Sequence, residues 1–466
     1  MDMENNNKGK VNRRSFLRMA GAGSVATAAA LYGCKPDNRV TAPGGSVGEV
    51  PADEMTYRIN PTSGDKVSLL GYGCMRFPLR KNDKGEEEID QEIANELVDY
   101  AIAHGVNFFD TSPVYIRGWS EAATGIALKR HPRDKFFIAT KLSNMSNTPY
   151  MRSFEGSVAM YHKSFKDLQV DYIDYYLLHT VGSGGMENFN NRYVNNGVLD
   201  FLLKEREAGR IRNLGFSFHG DIAVYDYLLS SDIQWDFVYI QMNYIDWRNV
   251  QSERNTNAEY LLGELEKRNI PAVVMEPLLG GRLARVSPQA LHLMKEMHPE
   301  DTAAKWAFRY AGTPESILSV LSGMVYMEHL QENVKTYSPL EPLNKEEYQL
   351  LDKVTRILLN DTFVECTECQ YCMPCPYGLD IPAIFGHYNR VLSAGNVLIS
   401  SKDEGYKEAR RAFLVGYDRS VPKLRQANRC IGCNLCLSHC PQLIDIPEEM
   451  RRIDVYVELL KQKKEF

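Results

Sequence analysis

The sequence predicts an α/β protein: a closed (β/α)8 barrel of the TIM-barrel kind, followed by a small, mainly helical domain. Three observations lead there. Short apolar runs alternate with longer amphipathic stretches across residues 56–342, the runs end in polar residues, and eight of the ten cysteines fall in two clusters beyond residue 365. At 466 residues the chain exceeds one ordinary core, so a large domain with appendages is expected. A net charge of −6 with 24% charged residues gives no basic footprint for nucleic acid.

Residues 1–34 are predicted to lie outside the fold. Asn12, Arg13, Arg14, Ser15, Phe16, Leu17 and Arg18 precede a short, weakly apolar run over 19–31, a pattern that resembles a twin-arginine export signal. The run is too short to span a bilayer. Leu31-Tyr32-Gly33-Cys34 resembles a lipoprotein cleavage box with Cys34 as the lipid-bearing residue. The resemblance implies a chain exported already folded, periplasmic or membrane-anchored on the outer side of the inner membrane. Residues 35–55, rich in Pro, Gly and Ala, read as a tether.

Candidate strands fall at 67–71, 106–109, 136–140, 173–178, 211–216, 237–240, 272–275 and 317–321, with helical periodicity between them, as at 93–103 and 260–267. A doubly wound sheet is the competing architecture, but no Gly-x-Gly-x-x-Gly turn follows any of these runs. In a barrel, chemistry sits just past the strands' carboxyl ends. Those positions hold Asp110, Lys141, His179, Ser217, Gln241, Glu276 and Ser322, and Tyr115 lies in the loop after Asp110. Lys141 beside Asp110 is expected to form an ion pair, and the cation to lower the Tyr115 phenol from its ordinary value of about 10. Such a tyrosine gives a proton to a carbonyl oxygen as hydride reaches the carbon, with His179 orienting the carbonyl. Cys74 follows the first strand without a base or metal ligand nearby and reads as a packing residue.

The stretches LGYGCMRFP (70–78), GVNFFDTSPVYIRGWSE (105–121), IATKLS (138–143), DYIDYYLLH (171–179), GRIRNLGFSFHG (209–220), QMNYID (241–246), MEPLLGGRLA (275–284) and LSGMVYMEHLQENV (321–334) resemble an aldo/keto reductase in order and position. The resemblance implies a barrel that binds a nicotinamide cofactor, NAD(P)(H), and interconverts a small-molecule carbonyl and its alcohol. It places the catalytic tetrad on Asp110, Tyr115, Lys141 and His179. Ser217 and Gln241 would hold the carboxamide, with His219 standing where many members have asparagine. Glu276, Pro277, Leu279 and Gly281 would line the cofactor channel, Ser322, Gly323 and Met324 the phosphate and ribose side, and Glu332 and Asn333 the adenine side. Residues 323–329 carry no Lys or Arg to pair a 2'-phosphate. The choice of NADH or NADPH stays open, with a tilt to NADH.

Residues 343–466 form the predicted second domain, opening with an amphipathic helix over 344–359. Cys366-x2-Cys369-x2-Cys372-x2-Cys375-Pro376 is echoed by Cys430-x2-Cys433-x2-Cys436-x3-Cys440-Pro441, and each run leads to Asp-Ile-Pro, at Asp380 and Asp445. The second run matches the bacterial ferredoxin pattern; the first is one residue shorter before its last cysteine. Zinc sites usually use two cysteine pairs set further apart. Resemblance to two-cluster ferredoxins implies two 4Fe-4S clusters, one on Cys366, Cys369, Cys372 and Cys440, the other on Cys430, Cys433, Cys436 and Cys375. The alternative is that each run closes on its own cluster.

Hydride carries two electrons and a cluster passes one, so direct exchange between the halves needs a mediator, such as a flavin, that the sequence does not reveal. Three readings follow: an oxidoreductase whose clusters serve an external electron-transfer partner, the same enzyme with structural clusters, and a non-turnover redox sensor or binding subunit. With free nicotinamide scarce outside the cytoplasm, the cofactor is expected to be bound before export and retained.

Overall fold

The computed structural model describes residues 50–145, 148–250, 256–359, 363–394 and 405–462. The predicted export signal, Cys34 and most of the predicted tether lie outside the described residues.

Eight parallel strands pair in sequence order and close on themselves: β1 (Leu70–Gly73), β2 (Phe108–Asp110), β3 (Phe137–Leu142), β4 (Ile173–Val181), β5 (Ile211–Phe218), β6 (Phe237–Gln241), β7 (Ala272–Met275) and β8 (Ile317–Ser322). Burial on both faces makes their centres apolar rather than alternating, with polar residues concentrated toward the carboxyl ends, and β4 is buried at every position. The helices between them are started by local chemistry. Asp90 accepts from the Ile93 amide at 3.2 Å, Ser153 from Gly156 at 3.0 Å and Asp221 from Ala223 at 2.9 Å, each satisfying an amide the helix leaves open.

The first strand corrects the expectation of 67–71. Lys66–Ser68 pairs antiparallel with Tyr57–Ile59, and the barrel strand begins only at Leu70. The Leu69 amide bonds Thr56 O at 2.8 Å and the Ser68 hydroxyl bonds Leu70 O at 2.7 Å, so the chain turns between two ladders. Val67 joins Phe108, Ala139, Tyr175, Leu177, Phe237 and Tyr239 in the barrel's inner core.

Lys345–Leu359 packs Leu350, Leu351, Val354 and Leu358 against Leu283, Met294 and Trp306 of the barrel's outer layer. Beyond it the helices Ile381–Ser393, Tyr406–Ser420 and Ile446–Gln462 enclose a separate core around Ile384, Phe385, Phe413, Met450 and Ile453. The duplicated Asp-Ile-Pro segments each start a helix: Asp380 accepts from the Ala383 amide at 3.3 Å, and Asp445 from Glu448 at 3.2 Å.

Candidate active site and cysteine seats

A strand's side chains alternate, so the residue two beyond an inward-facing one also faces inward, one layer nearer the rim. Phe108, Ala139, Leu177 and Tyr239 face the barrel interior. Two residues on from them stand Asp110, Lys141, His179 and Gln241, which the fold therefore gathers at the carboxyl rim. Lys141 Nζ donates to Asp110 Oδ2 at 2.6 Å, to Asp110 Oδ1 at 2.8 Å and to Thr111 O at 2.8 Å, and the Tyr239 hydroxyl donates to Asp110 Oδ2 at 2.9 Å. Tyr115 is presented by a turn in which Ile116 and Arg117 take φ of 48° and 57°, left-handed backbone that is costly for a β-branched residue. Its ring lies 4.8 Å from Lys141 Nζ and edge-on to the His179 ring, with centroids 6.2 Å apart.

His179 Nδ1 is 2.7 Å from Ser143 Oγ, which is itself 2.9 Å from Ser112 Oγ. Its carbonyl oxygen accepts from Arg192 Nη2 at 2.7 Å and from the Tyr193 hydroxyl at 3.0 Å. Burial, reinforced by Lys141, His219 and Arg192, holds the imidazole well below its ordinary value, so it is neutral. Burial also pushes Asp110 up and Lys141 down, while their pairing opposes both shifts.

The tyrosine corrects the electrostatic expectation. Its phenol is raised well above the ordinary value, first by burial and then by the Asp110 carboxylate. Burial outweighs the nearby Lys141 ammonium, which is itself paired with Asp110. Cys74 is fully buried, its thiol pushed up to about 12 chiefly by burial, as suits a packing residue.

The remaining rim residues divide. Ser217 Oγ accepts from the Thr180 amide at 2.9 Å, and burial with nearby Lys141 pushes His219 down to about 4. Gln241 Nε2 donates to Asp246 Oδ2 at 2.7 Å. Glu276, at φ 57°, takes the Gly280 amide on Oε2 at 2.6 Å and so shapes the Pro277–Gly281 turn, in which Leu279 is buried and Gly281 exposed. Ser322 Oγ accepts from Asn333 Nδ2 at 3.0 Å. A Cβ on Gly323 would lie 3.3 Å from Arg76 Cδ, so the stem of Arg76 runs against the last loop while its guanidinium reaches Thr367 O. Met324 sends its side chain into the core rather than the cleft, and Glu332 accepts from the Thr302 hydroxyl. Arg282 Nε and Nη1 are buried and have no hydrogen-bond partner among the described residues.

The cysteine-rich domain is seated on this rim. Arg76 Nη2 donates to Thr367 O, and a Cβ on Gly280 would lie 2.3 Å from Thr367 Cα. Arg282 stacks on Phe363 at 4.9 Å, and Gln442 Nε2 reaches Gln241 Oε1 at 3.5 Å. Tyr371, between Cys369 and Cys372, lies in the electrostatic field of Asp110 and Glu276. Among the described residues no group of Cys, His, Asp or Glu converges as it would about a single ion. The thiols of Cys366, Cys369, Cys372 and Cys440 instead line one small cavity, with Ile381, Phe385, Ile444 and Ile446 as apolar wall. Cys436 in turn lies in the field of Cys430, Cys433 and Cys375. Soft thiolate donors around an apolar cavity fit an iron–sulfur cluster.

Sequence reasoning missed Tyr239, Ser143 and Arg192, and all of the contacts between the two halves. Tyr239 was within reach, since it stands two residues before Gln241 on one strand.

Residues 69–356 match the model of the aldo/keto reductase family, and residues 365–444 that of the 4Fe-4S dicluster domain. L-galactose dehydrogenase of Arabidopsis thaliana is 27% identical over 315 residues, 64% of this chain and 92% of that protein. The uncharacterized oxidoreductase YqkF of Bacillus subtilis is 25% identical over 328 residues, 63% of this chain and 95% of that protein. In fold, the barrel is similar to the holo form of an aldo-keto reductase from Bacillus halodurans, with a TM-score of 0.52 at 24% identity, over 64% of this chain and 96% of that one. A closed parallel barrel matched over most of its length makes this chain an oxidoreductase that belongs to the aldo/keto reductase family, carrying a 4Fe-4S dicluster domain behind the barrel.

Proposed function

We infer that the protein interconverts a small carbonyl compound and its alcohol by nicotinamide-dependent hydride transfer, with Asp110, Tyr115, Lys141 and His179 as the catalytic tetrad. The observation that carries this reading is the buried Lys141–Asp110 pair with the Tyr115 and His179 rings beside it at the barrel rim. Ser217, Gln241 and His219 supply a hydroxyl, an amide and an imidazole suited to a carboxamide. The unpartnered nitrogens of Arg282, beside the Gly280–Gly281 turn, suit an anionic group such as a pyrophosphate. When bound, the nicotinamide supplies or accepts the hydride.

The chain's own residues manage the proton. Tyr115 keeps its proton far above neutral pH and so stands ready to give it to a carbonyl oxygen. With Ser143 donating to Nδ1, neutral His179 carries its proton on Nε2 and aims a second donor at that oxygen. Lys141 and Asp110 fix the floor on which the phenol rests.

A pH profile follows. The functional forms are the protonated phenol, whose range is extended upward, and the neutral imidazole, whose range is extended downward. The kcat/KM for carbonyl reduction is therefore expected to be flat from about pH 6 to about pH 9. A fall with a midpoint near neutrality would sink the assignment of Tyr115 as proton donor.

We place one 4Fe-4S cluster on Cys366, Cys369, Cys372 and Cys440 and the other on Cys430, Cys433, Cys436 and Cys375, supported by the cavity that joins Cys440 to the first run. Iron counting tests the crossing. The double variant Cys366→Ala with Cys440→Ala is expected to keep half the iron of the wild type. If each run closed on itself, both clusters would be lost. The cluster exchanges electrons with an external partner in this reading, and the protein is exported by the twin-arginine route with its cofactor retained. Mature protein purified from the cell envelope without added cofactor should release nicotinamide, and an empty preparation would defeat retention. A second reading, a redox sensor without turnover, is favoured by the Gln442–Gln241 contact, which ties the cysteine domain to a cofactor residue.

A further inference from the structure

The two cysteine seats differ in surroundings. The seat that includes Cys366 and Cys440 is turned toward the barrel, since Thr367 and Gln442 line its cavity and also touch Arg76 and Gln241. The other seat opens outward. Cys433 is exposed, and the residues bracketing it, Ile431 and Leu435, are 63% and 58% exposed. Tyr377, two residues beyond Cys375, is 50% exposed, and Leu424 is 73% exposed. Leu424 is tied to the loop that follows Tyr377, because neighbouring Arg425 donates Nε to Gly378 O at 3.2 Å and takes the Asp380 amide on its carbonyl at 3.1 Å. Large apolar side chains gathered around an open cluster loop mark an interaction surface.

Charge identifies the partner. From residue 419 to residue 444 there is no Asp or Glu, while Arg419, Lys423, Arg425 and Arg429 fall in that stretch. Arg425 pairs with Asp380 at 3.4 Å. Arg419, Lys423 and Arg429 are exposed and have no ion-pair partner among the described residues. A cationic rim around an apolar centre, on a chain whose net charge is −6, selects an acidic surface and steers it to this edge.

We propose that Tyr377, Leu424, Ile431 and Leu435, rimmed by Lys423 and Arg429, form the docking site for an acidic one-electron carrier protein. The exchange moves one electron between the carrier's redox centre and the cluster held at this seat, and no atom is transferred. The proposal rests on the reading that this seat holds a redox cluster.

The test uses the full chain with both clusters in place, under argon, and a small acidic [2Fe-2S] ferredoxin as probe, with binding measured by calorimetry. Binding is expected to weaken steeply between about 20 and about 200 mM salt. Lys423→Glu combined with Arg429→Glu, and separately Leu435→Asp, should each weaken it about tenfold or more while iron content stays at the wild-type level. Absence of binding at low salt overturns the proposal, as does affinity indifferent to salt and to the charge reversal. So does a patch that binds phosphatidylglycerol vesicles, or pairs two copies of this chain, in preference to the probe. Carbonyl reduction is assayed in parallel. Its absence with probe binding intact sinks the oxidoreductase reading alone, and the converse sinks the docking site alone.

Discussion

Tyr115→Phe lowers kcat for carbonyl reduction by about a hundred- to ten-thousand-fold and leaves nicotinamide affinity unchanged. The variant removes only the hydroxyl. The ring keeps its place over the Lys141 ammonium, 4.8 Å away, so the buried pair beneath is not disturbed. No neighbour takes over the proton. Lys141 is committed to two oxygens of Asp110 and one of Thr111, and His179 is neutral with Nδ1 engaged by Ser143. Steady-state rates with a panel of small aldehydes, together with quenching of bound nicotinamide fluorescence, separate loss of chemistry from loss of binding. A variant that retains more than about a tenth of the wild-type kcat would mean that another group donates the proton.

Arg309→Met is expected to destabilise the protein by about 3 kcal/mol at neutral pH, because it leaves the buried Glu347 carboxylate with only the His298 ring nitrogen and the Asn344 amide as partners. Arg309 Nη1 and Nη2 meet Glu347 Oε1 and Oε2 at 2.6 and 3.0 Å, with side chains 5% and 2% exposed. Glu347 also closes a capping box. Its Oε2 takes the Asn344 amide at 2.8 Å, and its own amide bonds Asn344 Oδ1 at 3.0 Å, so one carboxylate both starts the helix Lys345–Leu359 and fastens it to the barrel. Burial raises the Glu347 pKa, but the Arg309 pair and the Asn344 amide outweigh it, and the carboxyl ends below its ordinary value. A carboxylate depressed in the folded state contributes stability above its unfolded value of about 4.3, and loses it as pH falls through the folded value. In the variant burial acts with less opposition and Glu347 takes a proton more readily, so the gap between variant and wild type narrows on acidification. Urea unfolding followed under argon at pH 7 and near pH 4 measures both the gap and its narrowing. An equal gap at the two values would mean that the cost comes from lost packing rather than an uncompensated charge.

The parts of this molecule that were legible in the sequence are those whose physics is local. β4 could be read because a strand buried on both faces is apolar through its centre, Tyr175 to Leu178, and the rim residues because each apolar run gives way to a polar residue at its carboxyl end. The first strand misled because Val67 and Leu70 look like one run, although the chain turns between two ladders at Leu69. The Tyr115 phenol was misjudged because sequence shows which charge is near but not how deeply the hydroxyl is buried, nor that the Asp110 carboxylate acts on it too. The seating of the cysteine domain left no trace at all. Arg76 with Thr367, and Gln241 with Gln442, are pairs far apart in the chain with no periodicity linking them.

That seating makes admission to the barrel a question of timing. The bond between the two glutamines is 3.5 Å long, at the outer limit of a hydrogen bond, and it is the weakest of several contacts that seat the tail there, beside Arg76 on Thr367, Gly280 packed against Thr367 and Arg282 stacked on Phe363. Lifting the tail would break all of these together, so a molecule bound for the rim would meet a seated cover rather than an open mouth. Turnover would then have a ceiling set by how often the whole seat opens, and Gln442→Ala, which removes one contact and frees the Gln241 amide oxygen, tests whether that ceiling moves.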